Sequence, residues 1–124
     1  MQDILLVGIG GFFGAISRYK LGGWVHQILD KHGFPYGTIT VNIVGCFLIG
    51  LIAGLVLNKG IIPKQMEILV VTGFLGGFTT FSAFSLETLK LMQTGHYLNA
   101  LLNVLISVVL GLLAAWIGML LAKI

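Results

Sequence analysis

Charge is scarce in this 124-residue chain: Asp, Glu, Lys and Arg make 9% of it, where a soluble domain carries about 25%. Hydrophobic residues make 57%, and mean hydropathy is +1.05. A soluble fold this short buries only the smaller share of its surface and would leave much of that apolar material in water. A lipid-facing exterior removes the conflict. The seven Lys/Arg are dispersed, so the net charge of +3 forms no basic stripe and implies no nucleic-acid partner. The single cysteine, Cys46, excludes an intrachain disulfide and reads as a small buried hydrophobe. His26, His32 and His96 fall at or near loops without metal-ligand spacing. There is no phosphate-binding Gly-Lys-Ser/Thr motif and no arrangement of nucleophile, base and orienter. The chain is read as a non-enzyme.

What the chain has instead is four apolar runs. A transmembrane helix needs about 20 mostly apolar residues, which predicts helices over about 4–28, 37–57, 65–92 and 97–121 and leaves no room for a second domain. Asp30-Lys31-His32-Gly33-Phe34-Pro35, Asn58-Lys59-Gly60 with Pro63-Lys64, and Gln93-Thr94-Gly95-His96 supply the connections. The first residues lack a basic n-region and a small-residue cleavage site, so the first run is expected to be a retained helix. Eighteen glycines, among them Gly10/Gly14, Gly50/Gly54 and Gly73/Gly77, provide the small-residue faces through which helices approach in lipid. Lys59, Lys64 and Lys123 fall on the side of the termini, and Arg18, Lys20, Lys31 and Lys90 toward the other. So even a balance gives almost no positive-inside bias. It suggests either weakly determined insertion or insertion in both orientations, and two oppositely oriented copies could then form an antiparallel dimer.

Polar side chains within membrane spans are costly and mark interiors or pathways. Those that stand out here are Arg18, Asn42, the stretch Thr79-Thr80-Phe81-Ser82-Ala83-Phe84-Ser85 with Glu87, and the pair Asn103 and Ser107. Gly73, Gly76 and Gly77 lower helix propensity ahead of Thr79 and Thr80. A break there would free carbonyls suited to a monovalent cation; an intact glycine-rich packing face fits the spacing equally well. Phe81 and Phe84 share a helical face, beside a hydroxyl stripe of Ser82 and Ser85 that Thr88 continues. Ring edges are positive, so rings and hydroxyls together can favour an anion without a full charge that would hold it. Asn42 offers uncharged donors for an anion or an interhelical hydrogen bond. Arg18 either attracts anions at a pore mouth or snorkels. Glu87 is a snorkelling carboxylate, a partner for Lys90, or part of the path.

Three stretches together carry a resemblance. Gly10-Gly11-Phe12-Phe13-Gly14-Ala15-Ile16-Ser17-Arg18-Tyr19, the run from Gly37-Thr38 through Asn42 to Phe47, and the run from Gly73 through Thr79-Thr80-Phe81 to Glu87 resemble the first three helix signatures of the Fluc/CrcB family of fluoride channels. The resemblance implies an antiparallel, dual-topology homodimer with two fluoride pores in a bacterial inner membrane. It also implies a structural sodium ion, not transported, held by the Gly76 and Thr79 carbonyls of each subunit. Phe81 and Phe84 would meet fluoride, Asn42 would donate to it, and Ser82 and Ser85 would line the path. Arg18 would sit near the vestibule, and Glu87 matches the family's third-helix glutamate. Ala83 stands where some members carry a hydroxyl, and on the fourth helix Gly111 falls where others carry Ser or Thr, with Ser107 one turn earlier.

The implied activity is passive export of cytoplasmic fluoride. HF enters neutral and is trapped inside as the ion, and membrane potential and gradient both push it out. A proton-coupled small multidrug transporter also has about four spans, but it needs a carboxylate in its first helix, and none occurs between Ile4 and Ile28. A purely structural membrane subunit would explain the glycines but not the ordered polar stripe.

Overall fold

The structure, a computed structural model, describes residues 1–29 and 33–124. Residues 30–32 of the first polar connection, Lys31 among them, lie outside the described residues. Everything regular among the described residues is helical: α1 Gln2–Leu29, α2 Tyr36–Lys59, α3 Lys64–Glu67, a π-helical segment Ile68–Leu75, α4 Gly76–Phe78, α5 Phe81–Gln93 and α6 Tyr97–Leu121. Taken together, Lys64–Gln93 form one span, and α1, α2 and α6 form the others; all four are long and apolar enough to cross a membrane. At 1.5 Å per residue they measure about 36–45 Å, so their ends reach beyond a hydrocarbon core of about 30 Å or tilt within it. Few side chains within these spans are buried inside the chain; their apolar exteriors face outward, as a lipid solvent requires.

The helix ends follow local chemistry. Pro35 precedes α2, and its carbonyl accepts from the Ile39 N–H at 3.1 Å. The helix outruns its expected end at 57 because its stop is Gly60, whose left-handed φ of 58° lets its N–H reach the Leu55 and Val56 carbonyls. Gly95 (φ 81°) turns the chain in the same way between α5 and α6, with the His96 N–H on the Leu91 carbonyl at 2.8 Å.

Glycine faces join the spans. A Cβ on Gly10 would run into the Leu69 carbonyl of the π-helical segment, and one on Gly14 into the Phe74 carbonyl. Likewise Gly50 meets the Ala115 backbone, Gly118 meets the Phe47 carbonyl, and Gly54 would bring a Cβ to 2.6 Å from that of Ala122. The close pairs expected from spacing therefore serve contacts within the chain. α2 lies centrally, packed on α6, α1 and the third span. Val41 on α2 forms the buried apolar centre with Leu75 and Phe78, and Phe78 stacks on Phe74 at 5.7 Å.

The break lies elsewhere than low helix propensity implies. Of the two readings open for the glycine-rich segment, each holds in part: the chain stays helical through Phe78, and only Thr79 (φ −84°, ψ 155°) and Thr80 (φ −149°, ψ 112°) are extended. Packing overrides propensity here: Gly73 and Gly77 lie against Gly10 and Gly11 of α1, at a separation only a residue without Cβ permits. Gly50→Ala should therefore destabilise the protein by about 1–3 kcal/mol, the usual range for overpacking. Gly8→Ala, with no atom near its would-be Cβ, should change stability by less than about 1 kcal/mol. Thermal unfolding in detergent checks this, and the reverse order would show that these glycines are not packing faces.

Candidate functional site

The extended pair Thr79–Thr80 would leave backbone polar groups unpaired at membrane depth, where each costs several kcal/mol. One side chain meets both groups of Thr80. The Asn42 carbonyl Oδ1 accepts from the Thr80 N–H at 2.8 Å, and Asn42 Nδ2 donates to the Thr80 carbonyl at 3.0 Å. One turn along α2, a Cβ on Gly45 would collide with the Thr79 methyl, so α2 offers the break an amide and then a hollow. Thr79 closes the first half, its N–H and hydroxyl both donating to the Leu75 carbonyl at 3.0 Å. Thr80 opens the second half as the N-cap of α5, its Oγ1 accepting from the Ala83 N–H at 3.2 Å.

These diversions release carbonyls. In an unbroken helix the Thr80 N–H would serve the Gly76 carbonyl, and the Ala83 N–H the Thr79 carbonyl. The first goes to Asn42 and the second to the Thr80 hydroxyl. Gly76 is exposed, and its would-be Cβ approaches only the Val71 carbonyl, at 3.8 Å. Close packing within the chain is thus not what calls for glycine at this position.

Two cavities flank the break. The smaller, about 380 Å³, brings together Asn42, Gly76, Thr79, Phe81, Phe84 and Ser107. The Phe81 and Phe84 rings stand 5.5 Å apart at 38°; Phe84 is half-buried, whereas Phe81 is 77% exposed. No Lys, Arg, Asp or Glu lines this cavity. The larger, about 940 Å³, collects the charge: Arg18, His26, Glu87 and Lys90, with Thr38 and Ser82. Thr80 lines both. The predicted site residues therefore divide, with rings, amide and freed carbonyls on one side and ionisable groups on the other.

Glu87 does not ion-pair with Lys90. Its Oε1 accepts from the Thr38 hydroxyl at 2.8 Å, while Oε2 is buried with no hydrogen-bond partner. Thr38 stands in the sequence reading only as part of a signature and not as a site residue, although a signal existed: 38, 42 and 45 form one α-helical stripe, and all three face the third span. The hydroxyls behave unequally. Ser82 Oγ lies 3.3 Å from Thr80 Oγ1. Ser85 donates back to the Phe81 carbonyl at 3.0 Å and Thr88 to the Phe84 carbonyl at 2.7 Å, and neither lines either cavity. On α6, Ser107 borders the smaller cavity, while Gly111 packs beneath Cys46, whose Sγ lies 3.4 Å from its would-be Cβ. Among the described residues, no group of three or more His, Cys, Asp or Glu could hold a metal ion.

Known proteins share this chain from end to end. Residues 5–119 match the family described as CrcB-like protein, Camphor Resistance (CrcB). A protein of Geobacter metallireducens named fluoride-specific ion channel FluC is 46% identical over 123 residues, covering 99% of this chain and 98% of its own. Proteins with the same name from Geotalea daltonii, 46% identical over 123 residues, and Campylobacter lari, 49% identical over 120 residues, are covered to 98% and 97% of their lengths and cover 99% and 97% of this chain. With a matching family model over almost all its length and relatives this similar, the chain is a multi-pass membrane protein that belongs to the CrcB family.

Proposed function

We propose that this protein is a fluoride-specific channel that lets cytoplasmic fluoride leave a bacterial cell passively across its inner membrane. The observation that carries the reading is the smaller cavity. It pairs two phenyl rings with an amide at a helix break and excludes every charged side chain, in a chain whose relatives are named fluoride-specific ion channels. Fluoride's strong hydration makes replacement of its water shell the main energetic demand. Ring edges and the Asn42 N–H not engaged by Thr80 are weak donors that meet this demand without trapping the ion. The Arg18 and Lys90 side of the larger cavity gathers anions from water, Glu87 and Ser82 border it, and Thr80 leads from one cavity to the other. Ser85 and Thr88 hold the backbone of the phenylalanine turn beside this path.

The break is also the reason to place a second copy here. Phe81 is exposed, and so is Gly76, whose carbonyl has lost its usual donor to Asn42. Irregular backbone at membrane depth is tolerated only where protein or a cavity covers it. An antiparallel homodimer, inserted in both orientations, would cover it. The Gly76 and Thr79 carbonyls fit a structural sodium ion, since they are hard oxygen donors freed of intrahelical partners. Two from each chain would surround it, and the ion would supply the positive charge that holds the two breaks together.

Liposomes containing the purified protein should release fluoride and not chloride; equal permeability, or no fluoride flux, rejects the reading. Phe81→Ile and Phe84→Ile should each block fluoride efflux while the dimer still forms, because isoleucine has no positive ring edge to offer the ion. Normal conduction by both would remove the rings from the path. Dimer stability measured in sodium should exceed that in potassium, and indifference to the cation would reject the bound ion.

A further inference from the structure

Behind the phenylalanine turn, the most deeply buried polar side chain among the described residues is Asn103 of α6, 1% exposed. Its Nδ2 donates to Thr88 Oγ1 at 2.8 Å. The one Thr88 hydroxyl proton goes to the Phe84 carbonyl at 2.7 Å, so Thr88 receives from Asn103 through a lone pair, and the direction of the chain is set. Ser107 Oγ lies 3.4 Å from Asn103 Oδ1 and donates to it, orienting the amide. A relay of three side chains thus runs from α6 into the backbone of Phe84.

Besides the Thr38–Glu87 hydrogen bond and the Asn42 clamp on Thr80 at its start, α5 has little to hold it. Its single buried residue is Leu91, near the far end, and it packs mainly on α6. Its first turn, which carries both rings, starts from an extended pair of residues and has no helical continuation behind it. A polar tie across a water-poor interface is high in stakes, because an unpaired amide there is costly and a paired one admits a single geometry.

We propose that Asn103 is a positioning residue: through Thr88 it fixes the height and rotation of α5 and so places the Phe84 ring in the smaller cavity that Asn42 also lines. Asn103 does not contact the permeating ion in this scheme. The functional half of the inference rests on the fluoride-channel reading above; the positional half does not.

The test uses the full-length protein in liposomes, with fluoride efflux measured per folded dimer, and a 4-fluorophenylalanine probe at position 84 read by fluorine NMR. Asn103→Leu should lower fluoride efflux by about tenfold or more and shift or broaden the position-84 resonance. Thr88→Val should do the same, and the double variant should be no worse than the poorer single, since both cut one relay. Unchanged efflux per folded dimer with an unmoved resonance, or two effects that multiply, overturns the proposal. A merely structural Asn103 would lower yield and melting temperature and leave the rate per dimer intact. If Asn103→Leu alone does not fold, the apolar pair Asn103→Leu/Thr88→Val carries the test, because removing both partners strands no buried donor. Wild-type liposomes without fluoride flux would refute the channel reading, and the resonance would then decide the positional claim alone.

Discussion

The two hydrogen bonds between the Asn42 amide and the Thr80 backbone are the interaction on which the rest depends. A span that unwinds in hydrocarbon must pair every freed backbone group within protein. An amide carries an uncharged donor and an acceptor side by side on separate atoms, so it can replace both partners of one residue at once. By capturing the Thr80 N–H it also withholds the donor that the Gly76 carbonyl would use. The clamp therefore makes the break tolerable and keeps it chemically open.

The clamp works only because the helices come close. Gly10 and Gly14 let α1 lie on the third span, and Gly50, Gly54 and Gly118 seat α6 on α2. With those two approaches made, α2 presents Thr38, Asn42 and Gly45 along one side to the third span. One stripe thus touches Glu87, the Thr80 backbone and the Thr79 methyl. The same arrangement separates the electrostatics. The larger cavity holds a carboxylate and two fixed cations, while the smaller offers rings, amide and carbonyls. An anion passing from one to the other would exchange charge-based attraction for weak, short-range donors.

Much of this is legible in residue order. Four apolar runs and scarce charge specify the membrane and the number of spans, and the i, i+3 spacing of Phe81 and Phe84 puts their rings on one face, where they stand 5.5 Å apart. Other features are not. Glycine content lowers helix propensity from Gly73 onward, yet the extended residues are 79 and 80, because Gly73 and Gly77 answer to α1 and not to their own propensity. Spacing leaves Asn42 open between an anion donor and an interhelical bond; the amide binds the Thr80 backbone, 38 positions along the chain. Ser82, Ser85 and Thr88 look alike as a stripe, but two of them turn their protons onto backbone carbonyls four residues earlier.

By itself the sequence determined what periodicity and composition can carry: an all-helical membrane protein of four spans, with its polar chemistry concentrated in the third. Only the tertiary structure decided which backbone groups that chemistry engages. Hydrogen bonds are short and directional, so whether a hydroxyl or amide faces a path or a carbonyl depends on ångström-scale helix approach, and small residues spaced along the chain permit that approach without specifying it. Asn103 is the plainest case. In the sequence it is one polar residue in an apolar run; in the fold it is the donor that joins α6, through Thr88, to the backbone of Phe84.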